Sequence, residues 1–137
     1  MFLRTLATTI LALAAGVVFG RDCTREEAMA VDGVAAKLSQ WKDVFESYRR
    51  YSHCDDGAIA EGFTDSIARL LASKWESLPE MAAIADKNPD FKAFVLRHVD
   101  ASADPRDLQR IAEFAKSKCL PQYRALCAAL RTKALGQ

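Results

Sequence analysis

Apolar residues recur along this chain at steps of three and four, and the period-two alternation of a half-buried strand is almost absent. Val31, Val34, Leu38, Trp41, Phe45 and Tyr48 form one such stripe; Ile59, Phe63, Ile67, Leu70, Leu71 and Trp75 form a second. Phe91, Phe94, Val95 and Val99 supply a third, Leu108, Ile111, Ala112 and Ala115 a fourth, and Tyr123, Leu126, Cys127 and Leu130 a fifth. The punctuation between them is helical. Thr24 with Glu27 reads as a capping box, in which the glutamate reaches back to the cap N–H. Asp55 or Asp56 can cap the second stripe. Asn88-Pro89 and Asp104-Pro105 each place a capping side chain before a proline at the first helical position. Pro79 interrupts the pattern, leaving a short helical segment around residues 81–85. The expected fold is all-α: one antiparallel bundle of about five main helices joined by short turns.

The first twenty residues depart from this pattern. Arg4 is followed by sixteen uncharged positions, Thr5 to Gly20, with Ile10, Leu11, Leu13, Val17, Val18 and Phe19 as an apolar stretch. That is short for a membrane span of roughly 20 apolar residues. It fits a signal peptide over residues 1–20, cut before Arg21, and contact with a membrane only through that segment. Residues 21–137 then form a single helical domain, 117 residues long and large enough for one core. Periplasmic or secreted localisation follows.

Cysteine usage agrees with export. Cys23, Cys54, Cys119 and Cys127 all follow the leader, are even in number and contain no Cys-x-x-Cys, so two disulfides are expected rather than a zinc knuckle or redox pair. Their spacing conflicts with a straight first helix. One helix from Thr24 to Tyr51 would hold Cys23 and Cys54 roughly 40 Å apart, whereas bridged Cα atoms lie within about 7 Å. Joining Cys23 and Cys54 separately to Cys119 and Cys127, only eight residues apart, fits little better. Either the helix breaks, near Asp32-Gly33 or near Ser39-Gln40, or its first turns are absent, or one bridge does not form. A break is favoured, because Gly33 is a poor helix-interior residue and Ser39 is a possible cap. With a break near Ser39 the first two segments fold back, Cys23 can meet Cys54, and Cys119 would then pair with Cys127 across Leu120-Pro121.

Charge narrows the function. With Arg4 removed the chain has 18 basic and 18 acidic side chains, so no global positive field gathers nucleic acid. Gly-x-Ser-x-Gly, His-Glu-x-x-His and phosphate-cradling glycine loops are all missing from the sequence. The densest polar cluster is His53-Cys54-Asp55-Asp56, with Glu61 and Asp65 following. It lacks the ligand spacing of a calcium loop, and acids at a helix start are expected from the dipole alone. His53 and His98 have no metal-pairing partner one turn away. No cofactor or metal is expected. Gly62 inside the second helix costs about 1 kcal/mol relative to alanine, which close packing against another helix, or a partner, would offset. Trp41 and Tyr48 lie on an apolar stripe and read as core. Tyr51 with Arg49 and Arg50, and the acids Asp55, Asp56 and Glu61, are the candidate interface.

The leader, the helical content, Tyr48-x-x-Tyr51-x-x-Cys54 before a long amphipathic helix, and the late Lys118-Cys119 together resemble the small periplasmic immunity proteins that neutralise type VI secreted peptidoglycan amidases. Proteins of that group are helical and often dimeric and plug a toxin's active site. The resemblance implies an extracytoplasmic binding protein, an immunity protein or inhibitor with a secreted hydrolase as its protein partner, and keeps a homodimer among the expectations. It transfers no inhibitory residue onto this chain. Two alternatives stand beside it: a non-catalytic structural protein of the envelope, and an acid/base enzyme using Asp55, Asp56 or Glu61. Protein recovered from its host is expected to begin at Arg21 and to carry no titratable thiol. Intact mass before and after reduction reads both, and a chain starting at Met1 with four free thiols contradicts the expectation.

Overall fold

The structure, a computed structural model, describes residues 20–137. Apart from Gly20, the expected signal peptide lies outside the described residues. Seven α-helices follow one another: α1 (Arg25–Ala35), α2 (Trp41–Tyr51), α3 (Gly57–Ser73), α4 (Leu78–Lys87), α5 (Pro89–Arg97), α6 (Pro105–Ser117) and α7 (Arg124–Ala134). Short 3₁₀ turns at Ser52–Cys54, Trp75–Ser77 and Pro121–Tyr123 join some of them. The described residues contain no strand. Seven rather than five arises because the first stripe breaks into α1 and α2, and because Pro79 lies in the first turn of a full ten-residue helix, α4, instead of interrupting one.

The break falls at residues 36–40, and α3 holds it open. A helix end frees carbonyls and N–H groups that need partners. Here the Ser66 hydroxyl donates to the Ala35 carbonyl at 2.5 Å and accepts from the Leu38 N–H at 3.1 Å. Arg69 donates to the carbonyls of Ala36 and Leu38 at 3.0 and 3.2 Å, and Lys74 to that of Ser39 at 2.9 Å. Gly62, one turn before Ser66, lies so close to the elbow that a Cβ built there would meet the Ala35 Cβ at 2.9 Å and the Ala36 nitrogen at 3.1 Å. The expected close packing at Gly62 is therefore real, and its partner is the end of α1. Ser39 itself is not the cap: Gln40 occupies that position without a side-chain bond.

Close approach at Gly62 also moves the buried stripe of α1. Val31 and Ala35 are fully buried, while Val34 is 46% exposed. The contact needs a small residue facing α3, and Val34 sits about 100° round the helix from Ala35. Val44 in turn joins Trp41 on the buried face of α2.

α3 is the central helix. Ten of its residues are buried, leaving a narrow exposed strip at Glu61, Asp65, Arg69 and Ser73. A helix apolar nearly all round belongs inside the molecule, and α1 and α6 pack on α3 from different sides. Its entry is a sharp corner: Asp56 caps it by accepting the Gly57 N–H at 2.8 Å, and Gly57 takes φ 52°, a value that suits glycine. Phe45 and Tyr48 of α2, Phe63 of α3, and Phe91 and Phe94 of α5 form one aromatic layer, with ring centroids 5.0–5.3 Å apart between helices. α6 and α7 form a hairpin. Thr24/Glu27 and Asp104 cap as expected. Asn88 does not cap α5; its amide donates to the Ile84 carbonyl at 2.9 Å and closes the end of α4 instead.

Both disulfides are formed, Cys23–Cys54 with Cα atoms 4.9 Å apart and Cys119–Cys127 with 6.2 Å. The elbow makes the first bridge reachable; the second closes the corner between α6 and α7. Bridges of this kind typically stabilise a small domain by about 2–4 kcal/mol each. Gly62→Ala is expected to lower unfolding free energy by about 1–3 kcal/mol through overpacking, and Ser66→Ala by about 1–3 kcal/mol through unpaired buried backbone groups. Gly33→Ala, an exposed helical site with open space around it, should raise it by about 0.5–1 kcal/mol. Urea melts of the three variants, compared with the parent, check all three signs.

Candidate functional site

The corner before α3 aims Asp55 inward and Asp56 outward. Asp55 has only 6% of its side chain exposed, and its Oδ2 accepts from Arg97 at 2.6 Å and from the His98 Nε2–H at 3.1 Å. His98 follows the last turn of α5 and is 4% exposed; its ring lies 4.5 Å from that of Phe94 and 5.9 Å from that of Phe63. On the ring's other side Nδ1 lies 2.9 Å from the hydroxyl of Thr64, a buried residue of α3. Both ring nitrogens are thus within hydrogen-bond reach of a partner, Nε2 of Asp55 and Nδ1 of Thr64. The Asp55 Oδ1 is buried without a hydrogen-bond partner among the described residues. Burial pushes the Asp55 carboxyl up, but the bonds from His98 and Arg97 and their charges outweigh it and hold the group below the ordinary carboxylate value.

A carboxylate, an imidazole and a hydroxyl in line is the arrangement that activates a nucleophile. Here it also ties three segments of the chain together. Thr64 is 2% exposed, and the line joins the α2–α3 turn, the end of α5 and α3, with the His98 ring against Phe63 and Phe94. Asp55, Thr64 and His98 themselves line a cavity of about 230 Å³, together with Glu61, Arg97 and Asp100.

Asp55 is thus removed from the exposed interface set, because its charge is committed internally. Asp56 is exposed but occupied as a cap, and Glu61 is exposed on the free strip of α3. Arg49 and Arg50 are exposed; Arg49 pairs with Glu46 at 3.5 Å and lies over the Phe45 ring at 5.9 Å. Tyr51 is half-buried against the core. Arg97, and not the Arg49-Arg50 pair, meets the acid loop.

A second polar cluster surrounds the first disulfide. The Glu27 carboxylate bonds the His53 ring at 3.0 Å, Arg21 and the Thr24 N–H. These contacts, the His53 bond first among them, hold Glu27 down to about 2. Glu27, His53 and Cys54 bring ligand-type atoms within 4.8 Å of one another. The Cys54 sulfur, however, is bonded to Cys23 and offers no thiolate.

Net charge near zero conceals a partition. Residues 21–113 carry 13 Lys/Arg and 18 Asp/Glu; residues 114–137 carry five Lys/Arg and no acid. This signal was legible along the chain and is lost when charges are summed. Lys116, Arg124 and Arg131 border a groove of about 450 Å³ between α6 and α7. The Asp55–His98–Thr64 line had no such signal, its members lying 43 and 34 positions apart.

Comparisons with protein-family models, with curated proteins and with solved structures return no match for this chain. Two closed disulfides fit folding in an oxidising environment outside the cytosol. Among the described residues no helix is long and apolar enough to cross a membrane.

Because the folded Asp55 carboxyl sits below its unfolded value of about 3.9, its contribution is complete above that value and is lost as pH falls through the folded one. Thermal melts between pH 7 and pH 2 should show an acid loss of stability that Asp55→Asn flattens. At neutral pH Asp55→Ala should cost about 2–3 kcal/mol by leaving His98 and Arg97 without their acceptor. An unchanged acid limb in Asp55→Asn would contradict the assignment.

Proposed function

We propose that this chain is an extracytoplasmic binding protein that works by surface complementarity, as an immunity factor or inhibitor of a secreted cell-wall hydrolase in the periplasm. The observation that carries the reading is where the polar chemistry goes. Among the described residues the buried polar side chains, Ser66, Thr64 and His98, and Asp55 beside them, all bond from one segment of the chain to another. What faces outward is a stiff, twice-bridged surface of mixed charge. A preordered surface loses little entropy on docking, which favours tight complexes of moderate area. The layout shared with small periplasmic immunity proteins supports the same class.

A second reading has one observation behind it: the Asp55–His98–Thr64 line is chemically competent for acid/base work if α5 moves away from α3. Asp55→Asn, which keeps the shape, would then abolish an activity, whereas a packing role changes only stability.

The binding role is tested by affinity isolation of the tagged full chain from a periplasmic extract, followed by assay of purified partners. The expected result is a hydrolase recovered at equal stoichiometry, whose cell-wall cleavage is suppressed by an equimolar amount of this protein. Recovery of envelope components alone, or a hydrolase left fully active, would overturn it.

A further inference from the structure

The α6–α7 end of the molecule combines three features. Lys116, Arg124 and Arg131 border the groove there, all three are exposed, and among the described residues none of them makes a salt bridge. The Cys119–Cys127 bridge lines the same groove and fixes its corner. Leu120, 49% exposed, also borders an adjoining apolar hollow of about 290 Å³ lined by Trp75, Leu78, Pro79 and Tyr123. Glu76 and Lys118, one charge of each sign, complete the lining of the hollow.

Deepening the binding reading, on which it rests, we infer that this paired groove and hollow is the docking site for an acidic segment of a partner protein carrying an apolar anchor. The guanidinium forks of Arg124 and Arg131 suit carboxylates, which they can bind with two parallel hydrogen bonds. The Trp75–Tyr123 hollow suits one apolar side chain, and such aromatic-walled pockets hold the anchors of protein interfaces. The disulfide keeps both halves in register, so the site is formed before the partner arrives. Charge complementarity decides the occupant's sign: residues 114–137 hold five cations and no acid. Concavity decides against a flat lipid surface, which a convex amphipathic face would serve better.

The test uses the full chain with four probes: a short peptide of alternating glutamate and leucine, its glutamate–serine counterpart, inorganic phosphate, and phosphatidylglycerol vesicles. Backbone amide shifts and Trp75 emission are read. The glutamate–leucine peptide should move the amides of Lys116, Leu120, Arg124 and Arg131, and bind at least about tenfold tighter than the glutamate–serine peptide. Arg124→Gln with Arg131→Gln should weaken it by about tenfold or more without changing the melting curve, since both side chains are exposed. Equal binding of the serine peptide or phosphate, preferential binding to vesicles, shifts centred elsewhere, or no shift would each overturn the inference. A hydrolase partner that binds the double variant unchanged would remove this site and leave the binding role standing. Groove binding without any hydrolase partner would do the reverse.

Discussion

The structure depends on the elbow between α1 and α2. A continuous helix through residues 24–51 would satisfy its own backbone and carry Cys23 far from Cys54. Breaking it frees backbone groups at residues 35–39, and those groups need partners. Ser66 and Arg69 of α3 and Lys74 just past its end supply them, and Gly62 removes the Cβ that would hold α1 away. Gly62, Ser66 and Arg69 are spaced four and three apart, so one face of the central helix receives the whole bend. The Cys23–Cys54 bridge then locks a geometry the elbow has already brought within reach.

From that bend follows the arrangement of the other polar groups. Turning α2 back along α3 puts the Ser52–Cys54 turn beside α5, and this is how Asp55 comes to face Arg97 and His98. A buried charge is tolerable only when it is bonded, and here one carboxylate oxygen takes both donors while the other has none. The interior is thereby held by directional bonds as well as by aromatic packing.

The two bridges divide the labour. Cys23–Cys54 closes a separation of 31 residues and ties the start of the domain to its centre; Cys119–Cys127 closes only eight and fixes a local corner. The second therefore restricts less of the unfolded chain and matters more for the form of the surface at the basic end. That end is also where the charges separate, so the groove and the fold share one covalent support.

Much of this was present in the sequence. Helical spacing, the Thr24–Glu27 box, the proline starts and the evenness of the cysteines are local or arithmetic features, and they determined an all-α, twice-bridged chain. The clash between helix length and disulfide reach showed that a straight first helix fits two bridges poorly, because it uses only rise per residue and bond geometry; it did not choose between Gly33 and Ser39, and the capping role expected of Ser39 falls to Gln40. The tertiary structure decided the remainder. Which residue caps the elbow, why Val34 faces solvent while Ala35 is buried, and which cation meets Asp55 all depend on side chains 28 to 43 positions away. Periodicity reports which face of a helix is apolar and says nothing about which neighbour covers it. A polar side chain's partner is fixed only once the packed helices set the distances between them.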